Sequence, residues 1–331
     1  MKRVAVVIPF FQREPGILRR ALESVYAQEL GADVAVEIVI ADDASPTTPE
    51  PEIEGLSRPN FSVRVIKREN GGPAAARNTA LDAIADTDVI AFIDSDDLWA
   101  PGHLRAGLAA LDAGAQFYFA DNRYDEQSTW FAAIADMPAI IMQSQEIEGG
   151  ARVLTRDQAI PHFLRHCLSH TSTVMYDARR LGRLRFDEGQ AIAGEDHLYW
   201  LAAVDRSERV AFNLDAMGAR GRGVDIYRRA LDWSHPECVR RLHDALLAHK
   251  LINQRFCRTP EQKQYGAAQV AKLRRSISYL LVRNAFRHPL QNARVVARLL
   301  RTDPASVLLL PVNAPLTLLQ RAQGRLDFWA G

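Results

Sequence analysis

The chain has 331 residues, of which 47% are hydrophobic and 24% charged, values that are typical of soluble globular proteins and exclude a disordered chain. From Cys238 onward it holds 16 Lys and Arg against 4 Asp and Glu, a net charge of +12, which leaves −11 for residues 1–237. Three widely spaced cysteines form no C-x-x-C pair, which favours a reducing cytoplasmic compartment, and no apolar run approaches the roughly 20 residues of a membrane span.

The first 120 residues alternate the patterns of buried strands and amphipathic helices. Strands are predicted at 4–11, 36–41, 63–66, 89–93 and 117–120, and helices after Pro15, from Pro73 and over 101–111. Near-continuous apolar strands separated by helices indicate an α/β fold with a mainly parallel sheet covered on both faces.

The later part of the chain is less regular. A strand is predicted at 173–176, a helix after Gly194, a short edge strand at 210–212 and basic helices beyond Trp233. We therefore expect one domain over residues 1–235 and a helical, basic region over residues 236–331.

Polar side chains follow four of the predicted strands. The strand ends are Pro9–Gln12, Asp42–Ser45, Asn70–Asn78 and Asp94–Asp97. In open α/β sheets, ligands bind outside the carboxyl ends of the strands. The sequence therefore predicts a ligand site at this edge.

The D-S-D sequence after the fourth strand is the candidate metal site. We expect Asp96 to bind Mg²⁺ or Mn²⁺, and Asp94 to contact the metal or a ribose, with Ser95 between them in the nucleotide site. Such a cation would neutralise charge on a diphosphate leaving group. A plain turn is the alternative reading, and it is the one we favour for a second pair, Asp86–Asp88, at the opposite edge.

The N-G-G-P-A-A-A-R-N segment predicts an anion site. Asn70 and Gly71 precede a helix that begins at Pro73 with unbonded amides, and Arg77 lies in its first turn, in reach of a nucleobase or phosphate. The alternative is a glycine turn with a surface arginine.

Two further strand ends favour a nucleobase. Asp43 is placed to accept a hydrogen bond from the imide N–H of uracil, and Phe10 or Phe11, after Pro9, to stack on the base. A turn residue and a core pair are the corresponding alternatives.

Gly194-Glu195-Asp196-His197 opens an apolar helix. Asp196 is a candidate general base for an acceptor hydroxyl, although acids in a first helical turn also serve as dipole partners. The side chains predicted to line the acceptor and diphosphate sides are Trp99, His170, Glu195, Arg220 and Arg222, and His235 is a further candidate metal ligand.

These motifs together resemble the family 2 glycosyltransferases of GT-A fold. The segments are P-F-F-Q, A-D-D-A-S, N-G-G-P-A-A-A-R-N, F-I-D-S-D-D-L-W and G-E-D-H-L-Y-W, within residues 1 to about 235. I-P-F-F-Q-R-E-P-G-I-L and G-R-G-V-D-I-Y are similar to glucosyltransferases of succinoglycan-type exopolysaccharide synthesis. Two departures are Phe10-Phe11, where the family often has Thr-Tyr, and Ala44 in place of Gly.

The resemblance implies a Rossmann-like GT-A domain with a nucleotide-binding half over about 1–121 and an acceptor half over about 122–235. It implies that Asp43 and Arg77 contact uridine, that Asp94 and Asp96 form the D-x-D motif, and that Asp196 deprotonates the acceptor. The expected reaction is metal-assisted, inverting transfer of a hexose, with glucose favoured, from a UDP-sugar to a lipid-linked oligosaccharide in bacterial exopolysaccharide synthesis.

The basic C-terminal region predicts contact with the inner membrane surface. Arg287, Arg294, Arg298 and Arg301 share a helix face, with Val295, Val296, Leu299 and Leu300 towards another. The alternatives are packing on the acidic domain and a homodimer contact. Few interleaved aromatic residues argue against nucleic-acid binding.

Three other classes compete with a glycosyltransferase. In phosphohydrolases of the haloacid dehalogenase type the nucleophilic Asp usually follows the first strand, whereas here the acids follow the fourth. Sugar nucleotidyltransferases favour a basic, glycine-rich loop where this chain has Phe10-Phe11-Gln12. A non-catalytic carbohydrate- or nucleotide-binding protein of the same fold is the remaining alternative.

Overall fold

The computed structural model describes residues 1–189, 193–224, 230–233, 235, 237–285, 287 and 289–322. The chain divides into two compact units. The first comprises Met1–Glu188 and Tyr199–Val224, and the second Gly189–Leu198 and Asp225–Gly331. The second unit thus takes in a ten-residue segment from the middle of the chain, which the sequence analysis did not anticipate. Asp225, Ile226 and Tyr227 of the G-R-G-V-D-I-Y segment lie outside the described residues.

The first unit is built on one mixed sheet. Its strands are β1 (Lys2–Phe10), β2 (Val34–Asp42), β3 (Phe61–Lys67), β4 (Val89–Phe92), β5 (Leu98–Trp99), β6 (Phe117–Arg123), β7 (Gln145–Glu146), β8 (Ala151–Thr155), β9 (Met175–Asp177) and β10 (Arg209–Ala219). The sheet order is β3-β2-β1-β4-β9-β6-β10-β8-β7, with β5 paired to β10. Strands β1 to β4 run parallel, whereas β9 is antiparallel to both its neighbours.

Strands β1 to β4 and β6, and the helices after Pro15, from Pro73, near 101–111 and after Gly194, form where the patterns predict them, whereas the other short elements of this unit, apart from β9, were not predicted. Its helices are α1 (Ile17–Tyr26), α2 (Glu50–Ile53), α3 (Pro73–Ala83), α4 (His103–Asp112), α5 (Met137–Gln143), α6 (Arg156–Arg165), α7 (Ala178–Leu181) and α8 (Glu195–Arg206), of which the first turn of α8 belongs to the second unit. Strand β1 is buried along most of its length because α1 and other elements cover the sheet, which explains its unbroken apolar run. The mainly parallel α/β sheet is confirmed.

Strand β10 differs from its prediction. The sequence predicts a short edge strand at 210–212, but β10 has 11 residues and lies between β6 and β8. Register shifts after Asn213 and Ala216 break the alternation of side chains, so the pattern beyond Phe212 cannot be recognised in the sequence. The predicted strand at 173–176 also begins later, at Met175, because Thr171–Thr173 form a 3₁₀ turn.

The second unit contains the basic helices. They are α9 (Glu237–Arg255), α10 (Pro260–Arg283), α11 (Pro289–Thr302), α12 (Pro304–Leu308) and α13 (Leu310–Ala322). Their core includes Leu242, Leu246, Leu273 and Ile277. Helix α10 begins with a capping box between Thr259 and Gln262. Within the described part of the chain, no helix is long and apolar enough to cross a membrane.

Candidate active site

Three loops meet at the carboxyl edge of the parallel strands. Because β2, β1 and β4 are adjacent and parallel, the residues that follow them leave the sheet on one side. The backbone N–H of Gln12 donates to the Ser45 hydroxyl (2.9 Å), and the Gln12 side-chain amide donates to the Ser95 hydroxyl (3.0 Å). These bonds fix the spacing between the loops. Ser95 is buried here and holds Gln12, rather than facing a nucleotide.

Asp43 organises the glycine turn. Its carboxylate accepts hydrogen bonds from the amides of Gly71 (2.9 Å) and Gly72 (2.8 Å) and pairs with the Arg68 guanidinium, while Asn70 donates to its backbone carbonyl (2.9 Å). The anion that the Gly71 and Gly72 amides bind is therefore a carboxylate of the protein itself. Arg68 was missed by the sequence analysis, although its place directly after β3 is a signal that could have identified it.

Arg77 lies in the wall of the site and is only 4% exposed. Its guanidinium donates to Asp94 (Nη2 to Oδ1, 2.7 Å) and lies over the Phe186 ring, 5.3 Å from its centroid. The Asn78 side chain donates to the Phe186 carbonyl (3.0 Å) and accepts from its N–H (2.8 Å). The motif that ends in Arg77 and Asn78 thus orients the first acid of the D-x-D. No sequence signal pointed to Phe186.

Three carboxylates crowd the turn after β4. Burial, and then the neighbouring charges of Asp97 and Asp94, raise the pKa of Asp96 to about 7, although the charge of Arg220 acts in the opposite direction. The excess of negative charge in this turn is therefore incompletely compensated by the described residues. This arrangement would favour a bound cation.

Asp97, the fourth residue of D-S-D-D, is held by a separate network. The Ser172 hydroxyl donates to its Oδ2 (2.5 Å), the Gly221 amide donates to its Oδ1 (3.1 Å), and His170 Nδ1 lies 3.8 Å from Oδ2. Ser172 also accepts from the Asp94 amide (3.0 Å). Asp97 therefore anchors the acidic turn to two distant loops. His170, predicted to line the acceptor side, lies beside this carboxylate and packs edge-on to Trp130.

The Arg220–Gly223 loop passes directly against the acidic turn. A Cβ atom at Gly221 would overlap the Asp96 carbonyl, and one at Gly223 would overlap the Asp96 carboxylate. Only glycine permits this close approach. Arg220 and Arg222 flank Gly221 and are exposed. The R-G-R-G sequence therefore brings the backbone of this loop against Asp96, and the charge of Arg220 acts on the Asp96 carboxylate.

Two aromatic residues occupy other places than predicted. Trp99 lies in the core, 5% exposed, where its indole N–H donates to the Ser172 carbonyl, so its ring packs inside the protein and not against an acceptor. Phe10 is fully buried and cannot stack on a base. Phe11 and Pro9 are half-buried, which keeps Phe11 as the candidate stacking residue.

The remaining predicted residues belong to the second unit. Glu195 and Asp196 form the first turn of α8, where Asp196 accepts a hydrogen bond from the His197 amide (2.7 Å) and Glu195 is buried. His235 Nδ1 accepts from the Glu237 amide (3.2 Å) at the start of α9. The roles of Asp196 as base and of His235 as metal ligand stay predictions.

The chemistry of the acidic turn fits a hard divalent cation. Carboxylate oxygens suit Mg²⁺ and Mn²⁺, which are commonly held by one or two carboxylates together with substrate phosphates. Among the described residues, no three His, Cys, Asp or Glu side chains are grouped as a complete metal cage. Asp94 and Asp97 are engaged by Arg77 and Ser172, so Asp96 is the ligand that fits best.

The comparisons with known proteins agree with this architecture. The model of the family described as Glycosyl transferase family 2 matches residues 5–169. The succinoglycan biosynthesis protein ExoW of Rhizobium meliloti is 31% identical over 320 residues, which cover 92% of this chain and 95% of that protein. ExoO of the same organism is 29% identical over 198 residues, 58% of this chain and 53% of ExoO.

Two solved structures share the fold at low sequence identity. S. aureus TarS 1–349 in complex with UDP-GlcNAc has a TM-score of 0.64 and 17% identity, with 98% of this chain and 93% of that chain covered. The mannosyltransferase PcManGT from Pyrobaculum calidifontis, in complex with GDP-Man and Mn²⁺, has a TM-score of 0.52 and 18% identity, with 96% and 80% covered. These likenesses show the fold alone. With the near-complete match to ExoW, the acidic turn and the mixed sheet, they establish that this chain is a glycosyltransferase of family 2 with a GT-A fold.

Proposed function

We propose that this glycosyltransferase moves a hexose, with glucose as the first candidate, from a UDP-sugar to a hydroxyl of a lipid-linked oligosaccharide in bacterial exopolysaccharide synthesis. The similarity to ExoW over nearly the whole chain supports the pathway class. The observation that carries the proposal is the buried acidic turn at the carboxyl edge, flanked by Arg77 and by the Arg220–Gly223 loop.

The donor would bind with its uracil near Phe11 and Asp43 and its diphosphate near Asp96. Asp43 Oδ1 already accepts from Gly71 and Arg68, but Oδ2 accepts only from Gly72 and has a second acceptor direction, which a base N–H would share. Arg77 is rigid and charged, and it would contact the nucleotide from the wall of the site. Arg220 and Arg222 would contact the diphosphate as the leaving group gains charge.

Asp96, with Asp94 beside it, would hold Mg²⁺ or Mn²⁺, and His235 is a further candidate. The cation supplies charge neutralisation at the departing diphosphate. The other steps of the transfer depend on residues of the chain. Asp196 takes the proton from the acceptor hydroxyl, that oxygen forms a bond to the anomeric carbon, and the bond from this carbon to the UDP oxygen breaks. A single displacement inverts the configuration and gives a β-linkage from an α-linked donor.

The expected acceptor indicates where in the cell the enzyme acts. A lipid-linked oligosaccharide is confined to a membrane, so we propose a peripheral enzyme on the cytoplasmic face of the inner membrane. The excess of basic residues after Cys238 would attract the chain to anionic lipid.

Donor binding is the direct test of the proposal. We expect calorimetric titration with UDP to give at least tenfold tighter binding in Mn²⁺ or Mg²⁺ than in EDTA, and we expect Asp96→Asn to abolish this difference. Equal UDP affinity of the wild-type protein with and without metal would reject the metal-assisted site. An absence of UDP binding under both conditions would reject the donor class.

The role of Asp196 is tested by transfer. We expect Asp196→Asn to lower the rate of sugar transfer by about 10²–10⁴-fold, the usual contribution of a general base, and to leave the UDP affinity within about twofold of wild type. Labelled sugar transferred to lipid extract measures the first quantity and calorimetry the second. Transfer at the wild-type rate would show that another group removes the proton.

A further inference from the structure

Helix α13 exposes apolar side chains of the kind that an ordinary surface helix buries. The side chains that it buries are Ala314 and Thr317, which are small or polar. Over residues 310–320, the part of the helix whose side chains the structure describes, the solvent-exposed residues are all apolar: Pro311, Val312, Pro315, Leu316, Leu318 and Leu319. Leu316 and Leu319 are 47% and 56% exposed. A soluble helix normally turns its apolar stripe inward, and a contiguous exposed apolar patch marks an interaction surface.

One hydrogen bond joins α13 to α10 in this orientation. The Asn313 side chain donates to the Ser278 hydroxyl of α10 (3.5 Å), and the Thr317 hydroxyl donates to the Asn313 carbonyl (2.6 Å). The Thr317 bond lies within α13, but rotating the leucines inward would break the bond from Asn313 to Ser278 and expose Ala314, which is buried. The apolar face is therefore a stable feature of the helical unit.

The predicted lipid-binding helix does not offer such a face. In α11 the arginines at 294, 298 and 301 are exposed as expected, but Val295 and Leu299 pack inside the helical core. The centre of its apolar side is thus occupied, and its exposed leucines, Leu290 and Leu300, are ten positions apart in the sequence. The exposed charge of α11 is thus visible in the sequence, whereas the exposed apolar surface of α13 is not.

The surface around these helices is strongly positive. Two of the acids between Cys238 and Ala322, Asp244 and Asp303, are buried, whereas Glu261 is exposed. Residues 304–320 contain no charged side chain. Arg240, Arg294 and Arg298, with Glu237, line a groove of about 420 Å³ between α9 and α11.

We propose that the exposed face of α13, formed by Val312, Leu316 and Leu319, inserts into the surface of a bilayer that contains anionic lipid. An apolar partner is needed for the leucines, and a negative one for the basic helices. A second copy of the chain would supply the first but would set one strongly positive region against another. An anionic bilayer supplies both. This inference rests on the membrane contact proposed above and assigns that contact to the exposed face of α13.

Vesicle co-sedimentation of the full chain tests the assignment. We expect the wild-type protein to bind phosphatidylcholine vesicles containing 30% phosphatidylglycerol at least tenfold more tightly than phosphatidylcholine alone. The triple variant Val312→Ser, Leu316→Ser, Leu319→Ser should lose at least tenfold in affinity for the anionic vesicles. The single variant Leu316→Glu should also lose affinity, because it places a negative charge on the inserted face.

A matched control separates this face from exposed apolar residues in general. Met142 on α5 is 86% exposed, and Met142→Ser should bind vesicles as the wild type does. Unchanged vesicle binding of the triple variant and of Leu316→Glu would overturn the proposal. So would sedimentation velocity that shows a wild-type dimer and a monomeric triple variant, because a second copy would then cover the face.

The donor site gives an independent readout. The triple variant should bind UDP with wild-type affinity, because all its substitutions lie in the helical unit. If the wild-type protein binds anionic vesicles through α13 but does not bind UDP, the donor proposal fails and the membrane surface stands. If it binds UDP but not vesicles, the membrane proposal fails and the donor proposal stands.

Discussion

Two aspartates show how differently the two units use a carboxylate. In the first unit, Asp96 shares its turn with two other acids, and burial and these charges raise its pKa to about 7. In the second unit, Asp303 is 2% exposed and receives hydrogen bonds from Arg274 (2.6 and 2.9 Å), Ser306 (2.5 Å) and Lys250 (2.9 Å). Burial alone would raise the pKa of Asp303, but these partners hold it well below its usual range.

The difference lies in the neighbours and not in the residue type. Around Asp303, two cations and a hydroxyl satisfy one carboxylate, so its charge stabilises the fold. Around Asp96, burial and the charges of Asp97 and Asp94 outweigh the opposing charge of Arg220, so its charge costs stability in the ligand-free protein. Sites that bind cations commonly retain such uncompensated charge, whereas structural ion pairs do not.

The largest stability effect that we expect is in the helical unit. Asp303→Asn leaves Arg274 and Lys250 without their carboxylate and should lower the free energy of unfolding at pH 7 by about 3 kcal/mol. Because the folded pKa is depressed, the contribution of Asp303 is complete above about pH 4 and is lost as the pH falls further. Urea unfolding of both proteins at pH 7 and pH 3 should therefore show a gap that narrows in acid.

An exposed acid of the same region provides the control. Glu261 lies in the first turn of α10, and Glu261→Gln should cost less than about 1 kcal/mol. If Asp303→Asn were as mild as Glu261→Gln, the Asp303 cluster would have little structural role, and the contrast with Asp96 would lose its meaning.

Much of the fold was predictable because its pattern is local. Strands β1, β2 and β4 are mostly buried, so their apolar runs and the helical spacing of α1 are visible without tertiary knowledge, and the edge strand β3 keeps an alternating pattern. The full length of strand β10 was not predictable, because its bulges after Asn213 interrupt the alternation of inward and outward side chains. The two-residue strands β5 and β7 are too short to leave a pattern.

The site was predictable where strand ends deliver the residues and unpredictable where distant loops close on them. Asp43, Arg77, Asp94 and Asp96 could be expected at one edge because parallel strands end there. The hydrogen bond from Ser172 to Asp97 joins residues 75 positions apart, and no pattern in either segment predicts that the two side chains meet. The burial of Trp99, likewise, depends on its pairing in β5 with β10.

A smaller effect of opposite sign is expected at the acidic turn. Asp96→Asn should raise the free energy of unfolding of the ligand-free protein at pH 8, in EDTA, by on the order of 2 kcal/mol, because it removes a buried, crowded charge. The folded pKa lies above the unfolded value, so the cost of the charge grows from about pH 4 to about pH 7. The gain should be smaller at pH 5, as urea unfolding can measure. A loss of stability at pH 8 would show that the Asp96 charge is compensated after all.

The smallest effect is expected from the second D-x-D sequence, and it tests whether position or motif determines function. Asp86 lies at the opposite end of the parallel strands and pairs with Arg3 (Nη1 to Oδ2, 2.6 Å), both side chains being largely exposed. Because exposed ion pairs contribute little, Asp86→Asn should change the free energy of unfolding by less than about 0.5 kcal/mol. Its metal-dependent UDP affinity should equal that of the wild type. The two motifs are the same in spacing, so a loss of UDP binding like that of Asp96→Asn would mean that the carboxyl edge of the sheet does not define the site.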